Sequence, residues 1–212
     1  MNPAIFSTQP AGSLPETLAV FFGYAMLAVF AQNAVFTRAL GVSRLVQLVG
    51  DERTNSLLFG LLLCVTQFLV APVGWLAGGW AASFGLPASF RPLVYMACIA
   101  VVSGVDMALL YLLRLPWKRQ LLRILPLAAL NSCVLGTLLL GRTQNFTLTQ
   151  ALGFGLGSGV GYLMAVLLVT EAQNRLRSQA IPSAFRGMPI TLIYIGVLAL
   201  AIYGFTGHTV IL

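Results

Sequence analysis

Apolar runs of membrane-spanning length, separated by short polar stretches, dominate this chain. Six of them, at approximately 17–41, 56–81, 92–114, 121–141, 150–171 and 188–206, approach or exceed what a helix needs to cross a hydrocarbon core. Runs apolar on every side are not the single faces of a soluble bundle, so the pattern predicts six transmembrane helices and an all-α integral membrane fold. Residues 1–16 contain Pro3, Pro10, Gly12 and Pro15 and no Lys or Arg. They lack the basic start of a signal peptide and are predicted to be an extramembrane tail before a membrane domain over 17–212.

Composition agrees. Of 212 residues, 58% are hydrophobic and 8% charged, where a soluble domain carries about 25% charged residues. Mean hydropathy is +0.91. Twelve Lys and Arg against five acids give a net charge of +7. In a soluble protein that excess would suggest nucleic acid; here the basic residues lie between apolar runs, where they record orientation, and no nucleic-acid partner is expected. Connections one, three and five with their flanks hold ten of them: Arg38, Arg44, Arg53, Arg114, Lys118, Arg119, Arg123, Arg175, Arg177 and Arg186. Connections two and four hold Arg91 and Arg142. The asymmetry predicts cytoplasmic odd-numbered connections and both termini outside.

The loops are too short for a soluble domain, and no P-loop, GxGxxG in a strand-to-helix setting, HExxH or CxxC pattern occurs. Cys64, Cys98 and Cys133 all lie within apolar runs, which argues against a disulfide framework. His208 reads as a solvated tail residue.

Three features recur at nearly one spacing. Asn33 and Asn131 are 98 apart, Phe59-Gly60-Leu61 and Phe154-Gly155-Leu156 are 95 apart, and Pro92 and Pro189 are 97 apart. In order and in corresponding spans, they predict two homologous halves, at about 17–114 and 117–212. Three helices per half is an odd number, so the second half must enter from the opposite side, giving an inverted-topology pair. In such folds broken helices meet near the midplane. The candidate breaks are in helices one and four, at Gln32-Asn33 and at Asn131-Ser132 after Pro126. An amide in hydrocarbon must find partners, so Asn33 and Asn131 either share a midplane site or hold helices together. Asp106 is the one carboxylate well inside a predicted span, which makes it a functional candidate; the alternative is a carboxyl group bonded to a neighbouring helix. The alternating glycines from Gly153 to Gly161 predict a face that another backbone approaches closely.

Several of these residues resemble the RnfA and NqrE membrane subunits of the Rnf and Na+-translocating NADH:quinone reductase machinery. The similarity lies in Leu125-Pro126-Leu127 followed by Asn131-Ser132-Cys133-Val134-Leu135-Gly136, and in Asn33-Ala34-Val35-Phe36-Thr37-Arg38-Ala39-Leu40-Gly41. It continues through Gly155–Gly161 and from Ile181-Pro182-Ser183-Ala184-Phe185-Arg186-Gly187 to Gly204-Phe205-Thr206-Gly207. Asp106-Met107 stands where that family carries Glu-Met. The resemblance implies a multi-pass subunit of a bacterial-type inner membrane, part of an ion-translocating oxidoreductase and not an enzyme alone. It also implies a homologous six-helix partner of opposite orientation, RnfE- or NqrD-like, among other subunits. In the family the two share a 2Fe-2S cluster, each giving one cysteine from helix one and one from helix four.

At those ligand positions this chain has Ser43 and Ser132, with Cys133 one residue late. Clusters of this kind are ordinarily held by cysteine thiolates, and one residue of helix turns a side chain by about 100°. The expectation is therefore impaired or lost cluster ligation, with Cys133 as the remaining metal-ligand candidate or a packed small residue. Two other readings stay open: a small inverted-repeat transporter or channel-like protein using Asn33, Asn131 and Asp106, and a noncatalytic assembly subunit.

Overall fold

The computed structural model describes residues 13–50, 55–85, 87–112, 118–176 and 182–207. His208 lies outside the described residues. Among them the regular structure is helical, with no strand: α1 (Leu14–Val29), α2 (Val42–Gly50), α3 (Ser56–Ser83), α4 (Arg91–Leu112), α5 (Lys118–Ala129), α6 (Ser132–Thr143), α7 (Leu148–Leu176) and α8 (Met188–Thr206). α3, α4, α7 and α8 are each long and apolar enough to cross a membrane, and α5 with α6 meets the same test only as a pair, bent by 45° at the break between them as in a broken span or a re-entrant loop. The chain is a multi-pass, all-α membrane protein.

Two boundaries differ from the sequence pattern. α1 starts at Leu14, within the stretch expected to be tail, with Pro15 in its first turn. Proline is tolerated there because its missing N–H would have had no intrahelical partner. The apolar run 17–41 is also not one helix. It is helical to Val29, irregular over 30–41, and followed by α2 in what the pattern assigned to a connection. Leu45, Val46 and Leu48 of α2 are buried. Arg38 consequently lies within the irregular stretch and Arg44 on α2.

α3 and α7 pair at the centre; α1 packs along α7, α5 and α6 along α3, α4 on α3, and α8 on α7. The apolar window of α7 is 61% buried while that of α8 is 11% buried, so α7 is the axis of the molecule and α8 lies at its edge. The glycines of α7 divide between two neighbours. Gly153, Gly157 and Gly161 face the backbone of α1 at Phe21, Ala25 and Ala28, whereas Gly155 and Gly159 face Gln67, Ala71 and Cys64 of α3. A Cβ at Gly159 would stand 2.6 Å from the Cys64 backbone. The sequence run thus serves two helix contacts.

Candidate functional site

Helix α1 stops because Asn33 replaces the hydrogen bonds that would continue it. Its amide nitrogen donates to the Val29 carbonyl at 2.8 Å, while its amide oxygen accepts from the N–H groups of Val35 and Phe36 at 2.9 and 3.2 Å. One side chain therefore closes the helix before it and opens the short turn after it. The same amide nitrogen donates to Gly161 O of α7 at 3.3 Å, and Asn33 is fully buried.

Asn131 does the corresponding work at the other break. It is extended, at φ −91° and ψ 140°, and its side-chain oxygen accepts from Cys133 N–H at the start of α6. Its amide nitrogen donates to the Tyr162 hydroxyl at 3.1 Å. Pro126 lies inside α5 one turn before the break, and its missing N–H leaves the Leu122 carbonyl without its usual helical donor.

The two asparagines thus bind consecutive residues of one helix. Gly161 stands 13 residues from the first residue of α7 and Tyr162 stands 14 from the last, so both breaks are tied to its middle. The breaks also touch each other. Gly41 N–H donates to Ser132 Oγ at 2.9 Å, and the Tyr162 hydroxyl donates to Gly41 O at 3.1 Å. Gly41 has φ +74°, and a Cβ there would fall 2.6 Å from Tyr162 Cε2 and 2.7 Å from Asn131 Oδ1. Only glycine allows both the turn and the approach.

A second polar group lies beyond α6. Gln67 of α3 directs its amide nitrogen at Cys133 Sγ (3.2 Å), Thr137 Oγ1 (3.1 Å) and Ser158 Oγ (3.4 Å). The Thr137 hydroxyl donates to Cys133 O at 2.8 Å, which leaves Ser158 to donate to Thr137 across 3.0 Å. All four side chains are buried, and Gln67 Oε1 has no partner among the described residues. Asp106 stands apart from this network. It is buried on α4 with Oδ2 unpartnered, and no hydrogen bond joins it to Asn33 or Asn131.

Sequence reasoning picked out Asn33 and Asn131 but missed Tyr162, Gln67, Thr137 and Ser158. Gln67 was findable as the polar interruption of an apolar run. Tyr162 carries no such mark, because nothing local tells which aromatic residue will stand opposite a break 31 positions earlier.

A family model for "Rnf-Nqr subunit, membrane protein" matches residues 21–209. The chain belongs to the Rnf-Nqr family. Similar proteins include one from the ion-translocating oxidoreductase complex of Syntrophotalea carbinolica, 34% identical over 185 residues, covering 85% of this chain and 93% of the relative. Two Na(+)-translocating NADH-quinone reductase E subunits are also similar. That of Shewanella denitrificans is 28% identical, covering 85% of this chain and 94% of the relative. That of Psychromonas ingrahamii is 30% identical, covering 90% of each.

The resemblance singles out residues 43, 132 and 133. Ser43 is exposed on α2, and Ser132 is exposed at the break with its oxygen on Gly41 N–H. Cys133 is fully buried and turned toward Gln67 and Ser158, away from Ser132. Among the described residues no group of three or more His, Cys, Asp or Glu is placed to hold a metal ion.

Proposed function

We propose that this Rnf-Nqr chain is a membrane subunit of an ion-translocating electron-transport complex, and that it works without cluster thiolates of its own. On this reading it consists of two inverted halves and pairs with a homologous six-helix subunit of opposite orientation. The observation that carries the reading is the direct contact of the two breaks, Gly41 N–H on Ser132 Oγ, beside the positions that resemblance assigns to ligands. The matched packing supports two related halves, since α1 lies on α7 as α5 and α6 lie on α3, and each break is capped by an asparagine.

The donor set at the breaks does not suit an iron–sulfur cluster. Neutral serine hydroxyls are poor iron ligands, and the one nearby thiol faces into the helix bundle, toward α3 and α7. On this reading none of these residues serves as a cluster ligand. What they do is hold two irregular segments in one place at mid-height, where a partner can meet them.

The test is iron and sulfide analysis, with visible and reduced-state paramagnetic spectra, on the subunit purified with its membrane partner. We expect no stoichiometric cluster, and Cys133→Ala to leave the spectra unchanged. The double change Ser43→Cys with Ser132→Cys should raise bound iron. A native two-iron cluster that requires residues 43 and 132 would overturn the reading. Orientation is tested by labelling Arg119→Cys and Gly207→Cys in intact cells: label should reach residue 207 from outside and residue 119 only from the cytoplasm.

A further inference from the structure

The irregular stretch over 30–41 is anchored to the middle of α7 at both ends, through Asn33 on Gly161 and Gly41 on Tyr162. Between the anchors, Thr37, Arg38 and Ala39 are exposed. Irregular backbone at membrane depth is not stable against acyl chains and occurs where protein or a water-filled cavity covers it. Ala39 has φ +53°, a conformation that residues with a side chain seldom adopt unless their surroundings impose it. The backbone carrying Arg38 is therefore set by the break, not free to withdraw.

Beside it is an open groove of about 300 Å³ lined by Arg38, Leu40, Gly136, Leu139, Leu140 and Thr143. One cation stands at a pocket that is otherwise almost entirely apolar. A guanidinium in such a place is costly without a counter-charge, and this chain offers none among the described residues. Glu16 lies in the first turn of α1, Glu171 near the end of α7 is paired with Arg175 at 3.0 Å, and Asp106 is buried on α4. Asp51 and Glu52 follow α2 in sequence and lie outside the described residues.

We propose that this groove receives an acidic side chain from a transmembrane segment of a second, different polypeptide, ion-paired with Arg38. The inference rests on the reading that this subunit works beside a membrane partner, and it names the chemistry of their contact. A second copy of this chain fits poorly, because no described acid lies exposed at the height of the breaks. A phospholipid phosphate would neutralise the charge but would leave the irregular backbone of residues 37–39 against hydrocarbon.

The experiment starts from native membranes, with the complex extracted in mild detergent and retained partner measured for Arg38→Lys, Arg38→Ala and Arg38→Glu. A photo-crosslinking residue at Leu139 identifies what occupies the groove. The expected crosslink maps to a transmembrane peptide containing Asp or Glu. Arg38→Glu should lower partner retention by about tenfold or more, Arg38→Lys should lower it less, and reversing the identified acid to Arg should restore it. Equal thermal stability of the isolated variants shows that loss of partner is not loss of fold. Crosslinks only to phospholipid, or full retention with Arg38→Glu, would overturn the inference while leaving the pairing intact. Absence of any membrane partner with the unmodified chain would overturn both.

Discussion

Replacing Asn33 by alanine tests whether an amide, and not the apolar sequence around it, sets the first break. The change removes four hydrogen bonds from a fully buried side chain. Val35 and Phe36 N–H lose an acceptor, and the Val29 carbonyl loses its side-chain donor. Orphaned buried groups cost about 1–3 kcal/mol each in water-soluble proteins. Polar contacts within membranes average only about 0.6 kcal/mol, since the denatured state also finds partners. Weighing the two, Asn33→Ala should destabilise the chain by about 3 kcal/mol. Asn33→Ser should recover about 1 kcal/mol, because a hydroxyl still caps the following turn. The control is Gln32→Ala, whose side chain makes a single 3.5 Å contact with Gln144 and whose loss should stay within about 0.5 kcal/mol. The assay is reversible unfolding in mixed micelles with increasing SDS, read by helix content. Equal stability of the Asn33→Ala and Gln32→Ala chains would refute the idea that the break is built on this amide.

Three further outcomes are expected. Gly157→Leu should destabilise the chain by about 3 kcal/mol or prevent its accumulation, because the new side chain meets the α1 backbone at Ala25, whereas Gly196→Leu on α8 enters open space and should be nearly neutral in the same unfolding assay. In the isolated chain lacking Cys64 and Cys98, Cys133 should resist a membrane-permeant maleimide under native conditions and react after denaturation, while Ser132→Cys should react without denaturation. Gln67→Met should change stability by less than about 1 kcal/mol, since it removes the unpartnered oxygen along with the donor and leaves Thr137 and Ser158 bonded to each other. A loss comparable to that of Asn33→Ala would show that the Gln67 amide is a principal support of α6.

What the amino-acid order revealed was what hydrocarbon forbids. Asn33 and Asn131 stood out because an amide cannot be left without partners there, and the glycines of α7 stood out because such a run serves little except close packing. What it concealed was settled by partners distant in sequence. The choice of Tyr162 as the residue bonded to both Asn131 and Gly41 depends on how α7 passes two breaks 31 and 121 positions away. α2 was hidden for another reason: its buried Leu45, Val46 and Leu48 are interleaved with Arg44 and Gln47, so a search for long apolar runs passes over it. The start of α1 was obscured by Pro15, which signals a break within a helix but is welcome in a first turn.

The contact between α1 and α7 has a mechanical consequence. Where Gly153 and Gly157 meet Phe21 and Ala25, the surfaces in contact are main chain, with no glycine rotamer to rearrange. Switching between two arrangements ordinarily requires side chains that repack in two ways. The glycine seam has little to exchange, so α1 and α7 should travel as a single stiff unit. Any change of shape would then fall to the short segments, α2 and α6, hinged on Gly41 and Asn131 like two leaves on a fixed post.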